Sequence, residues 1–324
     1  MNFSVLISSI LFLVQSVKPQ FSTNEAESWI WNELRQDHCG TVLSIMEPTM
    51  HLFMGINGHK TRVMTRPWVA LLFLPDDMEN CRCGGSLITK RFVLTAAHCL
   101  VMCPRKNEIK VRLGEHTLSS SKDCLFGFGR QICSPPVEDF DVEKIIIHEK
   151  CSLFKQINDI ALLQLSQNVI TQVHIRPICL PLTSDLRMKT FKLGQSYIAN
   201  GWGTTELGGL SDTLLEMSFR NYQCPSQYNN KNVLCTNGRI QDTCKGDSGG
   251  PLTSKSIFFG SERYVQFGII SHGNWACGQG AGAFFTTVSP YMPWIIQKLA
   301  IHLMQDPNEQ MLLFKNYVMP IIRG

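Results

Sequence analysis

The sequence predicts an all-β fold arranged as two hydrophobic barrels, and three observations carry that expectation. Short stretches rich in strand-favouring residues recur along the chain, loops with Pro, Gly and Asn break them up, and helical periodicity is almost absent. Trp68–Leu74 and Ser86–Leu94 read as strand-forming, followed by Ile109–Leu113, Val142–Ile147 and Ile160–Leu165. These fill a first barrel that ends near Ser166. A second barrel takes Leu193–Gly203, Leu214–Arg220, Tyr264–Ser271 and Ala283–Val288. The only persuasive helix is Tyr291–Ala300, where Trp294, Ile295 and Leu299 fall on one side at 3.6-residue spacing. Asp306-Pro307 stops it, and the tail to Gly324 is more apolar than a solvated tail requires.

Composition narrows the setting. A chain of 324 residues can hold one large core or two smaller ones. A net charge of +4 with 17% charged residues, and no dense Lys/Arg cluster, argues against nucleic-acid binding. Thirteen cysteines point to an oxidising compartment. Val5–Val14 is a short apolar run followed by Gln15-Ser16-Val17, which reads as a secretory signal over residues 1–17 although a positive n-region is missing. Ten to thirteen apolar residues are too few to span a bilayer, so secretion is expected and membrane association is not. The one Asn-x-Ser/Thr sequon, at Asn2, lies inside that signal.

Chemistry concentrates in Asp242-Thr-Cys-Lys-Gly-Asp-Ser-Gly-Gly-Pro251. Glycines in such a turn let backbone N–H groups face a ligand. Ser248 is the candidate nucleophile, and the amides of Gly246 and Ser248 are placed to stabilise an oxyanion. A serine needs a base and a group that orients the base. The candidates are His98 in Leu94-Thr-Ala-Ala-His-Cys99 and Asp159 in Asn158-Asp-Ile-Ala-Leu-Leu163.

These motifs resemble those of chymotrypsin-type serine peptidases, closest to the secreted trypsin-like proteases of insect clotting, melanisation and Toll-type cascades. Cys83-Gly-Gly-Ser86, Gly201-Trp-Gly203 and Val288-Ser-Pro-Tyr-Met-Pro-Trp294 match as well, and the order His, Asp, Ser is that of the chymotrypsin class. The resemblance covers about residues 55–300. It implies two six-stranded antiparallel barrels, residues 55–170 and 171–290, with a C-terminal helix over 291–303 and a tail over 304–324. It also implies hydrolysis of peptide bonds through an acyl-enzyme, with His98, Asp159 and Ser248 as the triad.

Further roles follow from the same resemblance. Asp242 would floor a primary pocket for Lys or Arg, and Ser271 and Gly273 would bond the substrate backbone. Ala283 stands where relatives carry glycine and would narrow the pocket, although a one-residue shift would put Gly282 there instead. His272 replaces a large aromatic and would weaken the adjoining apolar subsite. Lys245 beside the oxyanion turn reads as an exposed lysine or as a group favouring acidic residues on the leaving side. Implied disulfides are Cys39–Cys179, Cys83–Cys99, Cys124–Cys133, Cys224–Cys235 and Cys244–Cys277. Cys81 is left to pair with Cys103, or Cys103 with Cys151.

Related enzymes are cut after a basic residue, and the freed Ile or Val pairs with the aspartate that precedes the catalytic serine, here Asp247. The spacing to Pro67-Trp68 puts Met54 and Gly55 at that junction, which departs from the pattern. Residues 18–54 form a leader with one cysteine, too few for a six-cysteine clip domain. Expected partners are protein or peptide substrates, an upstream activating protease and a serpin-type inhibitor. No metal or cofactor is expected beyond a candidate calcium loop, where Glu115, Asp123, Glu138 and Asp139 are scattered without dense ligand spacing. The competing expectation is a non-enzymatic, protease-shaped regulator held in a zymogen-like state by its Met54–Gly55 junction.

Overall fold

The computed structural model describes residues 23–35, 38–43, 59–127, 129–205, 208–228, 232–236, 245–272 and 283–305. Two compact units divide the chain. One is Leu34–Met292, and the other combines Met1–Glu33 with Pro293–Gly324. Helix α1 (Thr23–Leu34) belongs almost wholly to the smaller unit and was not expected from the sequence.

The larger unit holds both barrels. The first is closed by β2 (Val69–Phe73), β3 (Cys83–Leu87), β4 (Phe92–Thr95), β5 (Lys110–Leu113), β8 (Glu138–Ile147) and β9 (Ala161–Leu165), in the order β2-β3-β4-β9-β8-β5. All five residues of β2 and of β9 are buried, which explains their unbroken apolar runs. The stretch Ser86–Leu94 is a hairpin and not one strand: Ser86 pairs with Leu94 and Leu87 with Val93. Thr89 closes its turn by accepting the N–H groups of Arg91 and Phe92, both at 3.1 Å. Between β5 and β8, the hairpin of β6 (Cys124–Gly127) and β7 (Arg130–Cys133) stands apart from the barrel.

The second barrel runs β11-β10-β13-β14-β15-β12 and closes through β11–β12 pairing. Its strands are β10 (Ser196–Gly201), β11 (Leu215–Tyr222), β12 (Val233–Thr236), β13 (Pro251–Phe258), β14 (Ser261–His272) and β15 (Phe284–Thr287). The two-residue strand β1 (His59–Lys60) adds to the edge of β11. The β13–β14 hairpin turns through Phe259 and Gly260, both at positive φ (44° and 83°), the geometry that matches strand twist in a two-residue loop. An edge contact between Phe219 and Phe285 and a tilted one between Tyr197 and Phe267, each 5.5 Å between centroids, fill its core.

Helix α2 (His98–Val101) follows β4, and α3 (Ser184–Thr190) links the barrels, capped by Thr183 accepting from the Leu186 N–H. Helix α4 (Met292–Gln305) takes in all but the first residue of the helical stretch read from the sequence, Tyr291 ending the 3-10 turn before it; Ile295 and Leu299 are buried. No described helix is long and apolar enough to cross a membrane.

Polar contacts stitch the barrels together. Ser86 Oγ donates to Gln266 Oε1 (2.6 Å), and the Gln266 N–H donates to Cys179 O (2.9 Å). The Gly84 N–H donates to Ser248 O at 2.6 Å. Among the described residues, five disulfides join Cys39–Cys179, Cys81–Cys103, Cys83–Cys99, Cys124–Cys133 and Cys224–Cys235. Cys151 is a half-buried free thiol whose burial pushes its pKa up, whereas Cys244 and Cys277 lie outside the described residues.

Glu216 on β11 is a buried carboxylate held between the basic side chains of His59 and Arg66. Burial alone would raise its pKa, but His59 Nε2 at 3.5 Å and a direct hydrogen bond from Arg66 hold it down to about 2. A carboxylate depressed in the folded state stabilises the fold above its ordinary pKa, and the benefit is lost as pH falls towards 2. Glu216→Gln is expected to destabilise by about 3 kcal/mol at pH 7, the cost of leaving Arg66 buried without its partner. Chemical denaturation from pH 7 to pH 2 would show the difference shrinking.

Candidate active site

The loop before β9 aims Asp159 inward. Asn158 takes a left-handed φ of 53°, which asparagine tolerates better than most residues. Its side chain is held at both ends, donating to Lys150 O (2.7 Å) and accepting from Tyr291 OH (2.8 Å). Thr286 Oγ1 donates to Asp159 O at 2.9 Å, so β15 of the second barrel also grips this loop.

Asp159 is 6% exposed and accepts three hydrogen bonds. The His98 backbone N–H donates to Oδ1 (2.8 Å), while His98 Nδ1–H (2.7 Å) and Ser271 Oγ–H (2.5 Å) both donate to Oδ2. Burial works to raise the carboxyl pKa, but the bonds and charge from His98, together with the Ser271 hydroxyl, outweigh it and hold the group below its ordinary value. An ionised carboxylate at Nδ1 fixes the tautomer and leaves Nε2 as the acceptor. His98 is the first residue of α2, and the Cys83–Cys99 disulfide pins the residue next to it.

Ser248 sits in the turn entering β13. Gly246 (φ +98°) and Gly249 (φ +82°) hold conformations that side chains resist, and a Cβ on Gly249 would lie 2.4 Å from Gly84 O. Among the described residues, no protein group takes up the N–H of Gly246 or Ser248, and the Ser248 hydroxyl makes no hydrogen bond to the imidazole. Asp247, between them, is 3% exposed and turns its carboxylate inward, accepting the Gly203 N–H at 2.8 Å. Gly201 and Gly203 leave room for that carboxylate: a Cβ on either would come within 2.3 Å of its oxygens.

Beside Ser271 lies a feature that sequence reading missed. The His272 imidazole stacks on Phe284 (4.8 Å, 14°), and Tyr228 stacks on Phe284 (4.5 Å, 28°), making a three-ring platform. His272 Nε2 lies 3.2 Å from Tyr228 OH, and Nδ1 lies 3.2 Å from Ser271 Oγ. The site therefore keeps a flat aromatic wall despite its histidine. Ala283 is fully buried, and its carbonyl accepts from Thr236 N–H and Oγ1, both at 3.0 Å. Lys245 is exposed, with its carbonyl accepting the Thr204 N–H at 2.8 Å. Met54, Gly55, Asp242 and Gly273 lie outside the described residues.

The candidate calcium loop is occupied by protein cations and donors. Arg112 grips Asp139 through two bonds (2.7 and 2.9 Å) and reaches Glu115 at 3.2 Å. Glu138 accepts from Gln172 (2.6 Å), and Asp123 accepts the Thr117 N–H (3.2 Å). With a guanidinium between two of the four carboxylates, these residues do not fit a calcium site. Cys83, His98 and Cys99 come within ligand distance of one another, but both sulfurs are in the disulfide and cannot bind as thiolates.

The family profile described as Trypsin matches residues 55–295. The chain belongs to the trypsin family. It is 40% identical over 255 residues to serine protease grass of Drosophila melanogaster, covering 75% of this chain and 67% of that protein. Phenoloxidase-activating factor 3 of Holotrichia diomphalia is 34% identical over 263 residues, covering 77% and 73% of the two chains. The crystal structure of the drosophila Grass clip serine protease of the Toll pathway superposes with a TM-score of 0.73 at 36% identity, covering 84% of this chain and 78% of that one. The chain is thus a serine-type, trypsin-like endopeptidase by family, closely related to insect clip-domain cascade proteases, with its His98–Asp159 pair closed.

Proposed function

We propose that the protein is a secreted endopeptidase that cuts after Lys or Arg in an extracellular cascade. The observation that carries this reading is the triply bonded Asp159 holding His98 with its Nδ1 engaged and Nε2 left as the acceptor, beside a glycine turn whose Gly246 and Ser248 N–H groups are unclaimed among the described residues. In this reading His98 takes the proton of Ser248 as the hydroxyl attacks the carbonyl, then passes it to the leaving amine. The two amides hold the oxyanion, and water resolves the acyl-enzyme. Asp242 supplies the negative pocket floor, Gly273 and Ser271 align the substrate, and residues 1–17 direct secretion ahead of a leader ending at Met54.

Relatives named as a phenoloxidase-activating factor and a melanization protease support a cascade setting, with an activating protease upstream and a serpin-type inhibitor downstream. The test is stoichiometric labelling by a serine-directed phosphonate, together with N-terminal sequencing of the secreted protein. Asp242→Ser is expected to reduce kcat/KM on lysyl and arginyl peptides by about 30- to 5,000-fold, a loss of about 2–5 kcal/mol, while sparing neutral ones. The Met54–Gly55 junction favours a second reading, a protease-shaped regulator. Persistent single-chain protein that never labels, even after exposure to candidate activators, would decide for that reading.

A further inference from the structure

The strand that delivers Ser271 to Asp159 ends irregularly. In β14, Ile270 pairs with Phe285 and His272 with the adjacent Phe284, so Ser271 is the extra residue of a β-bulge. A bulge breaks the strict alternation of faces, and here it brings two consecutive side chains together: His272 Nδ1 lies 3.2 Å from Ser271 Oγ. His272 also gains Phe284 as its cross-strand partner, and the two rings stack at 4.8 Å and 14°. The imidazole is half-buried.

The protons around this ring decide its charge. Ser271 Oγ has one proton, which goes to Asp159 Oδ2 at 2.5 Å. Tyr228 OH has one proton, which goes to Gln156 Oε1 at 3.3 Å. Ser271 Oγ and Tyr228 OH, each 3.2 Å from a ring nitrogen, therefore both offer His272 lone pairs. A neutral imidazole has one N–H and one lone pair, so it would satisfy one oxygen and set lone pair against lone pair at the other. The doubly protonated ring donates to both. Its surroundings agree, because the charge behind the Ser271 hydroxyl is the Asp159 carboxylate and the face of Phe284 attracts a cation. The other titratable groups on this side are Tyr228 itself and, around Asp159, His98 and Cys151.

We propose that His272 is an imidazolium at neutral pH and forms an anion-selecting subsite, which favours Asp or Glu in the substrate segment ahead of the cleaved Lys or Arg. Setting that segment against His272 rests on the endopeptidase reading, in which Ser271 aligns the substrate backbone. Where an uncharged aromatic wall would take an apolar side chain, this one presents a flat cation. The selectivity is present while the ring holds both protons and fades as pH rises through its titration midpoint.

The charge is tested without catalysis. In histidine-labelled, full-length Ser248→Ala protein, nuclear magnetic resonance should find both ring nitrogens of His272 protonated at pH 7, with a midpoint about one unit above the ordinary value of about 6.5. Tyr228→Phe removes one acceptor and should bring the midpoint back towards that value. The same Ser248→Ala protein should bind a lysyl peptide with Asp ahead of the lysine about fivefold more tightly than its Ala counterpart at pH 7, and equally well once the ring is neutral. His272→Gln should abolish the difference; His272→Phe, which keeps the stack, does the same if the Gln variant does not fold. A neutral ring at pH 7, the result if the Gln156 amide donates to Tyr228 instead, would overturn the proposal, as would failure to prefer the acidic peptide. Acid-selective binding in a chain whose Ser248 form hydrolyses neither peptide would defeat the endopeptidase reading and leave this one standing.

Discussion

Ser248→Ala is expected to lower kcat on a lysyl or arginyl peptide by about a million-fold, with the fold intact. The hydroxyl is the only group in the turn able to form an acyl-enzyme, so its loss removes the covalent route completely. Remaining turnover would come from the Gly246 and Ser248 amides and from substrate binding, about a thousand- to ten-thousand-fold over water. Stability should barely move. Among the described residues the side chain makes no hydrogen bond, and the bonds that organise this residue use its backbone, with Ser248 O accepting from Gly84. Steady-state kinetics beside a thermal melt separates the two quantities; a variant that melts early would show that the hydroxyl also has a structural role.

Asp159→Asn should lower kcat by about ten-thousand-fold, with a smaller change in KM. The amide can accept one of the three hydrogen bonds now made to the carboxylate, but its NH2 presents a donor where another donor already points. His98 must then turn Nδ1 into the acceptor, which places its proton on Nε2, where the base is needed. The pH dependence has a defined sign. Asp159 titrates below the ordinary carboxylate value, so its contribution to stability is present above that value and disappears as pH falls through the lowered one. Wild type and Asp159→Asn should therefore differ in Tm at neutral pH and converge in acid. A constant gap across that range would contradict the assignment.

What could be read from the sequence followed from how local each signal was. His98, Asp159 and Ser248 each sit inside a short motif, so they were nameable before any coordinates. Ser271 was expected to align substrate backbone, and its second bond, to Asp159 Oδ2, was not foreseen. That bond joins residues 112 apart, and a serine in a strand has no pattern announcing it. The ring platform of Tyr228, Phe284 and His272 was missed for the same reason: each ring comes from a different segment. Strands read best where both faces are buried, as in Val69–Phe73 and Ala161–Leu165. Pro251–Phe258 went unread because Pro, Thr, Ser and Lys dilute its apolar alternation. Ser86–Leu94 looked continuous because its turn, Ile88–Arg91, carries neither Gly nor Pro.

The backbone bond from Gly84 to Ser248 has a mechanical implication. It is a tether from one hydrophobic body to Ser248 of the other, made by the residue next to Cys83, whose disulfide to Cys99 pins the neighbour of His98 on that first body. Slippage along the seam would therefore disturb Ser248 and His98 together, before either half had lost its own hydrogen-bonded ladder. The spacing of Ser248 and His98 follows how the two halves are clasped, and on the endopeptidase reading agents that loosen the clasp should silence the chemistry while much of the architecture survives.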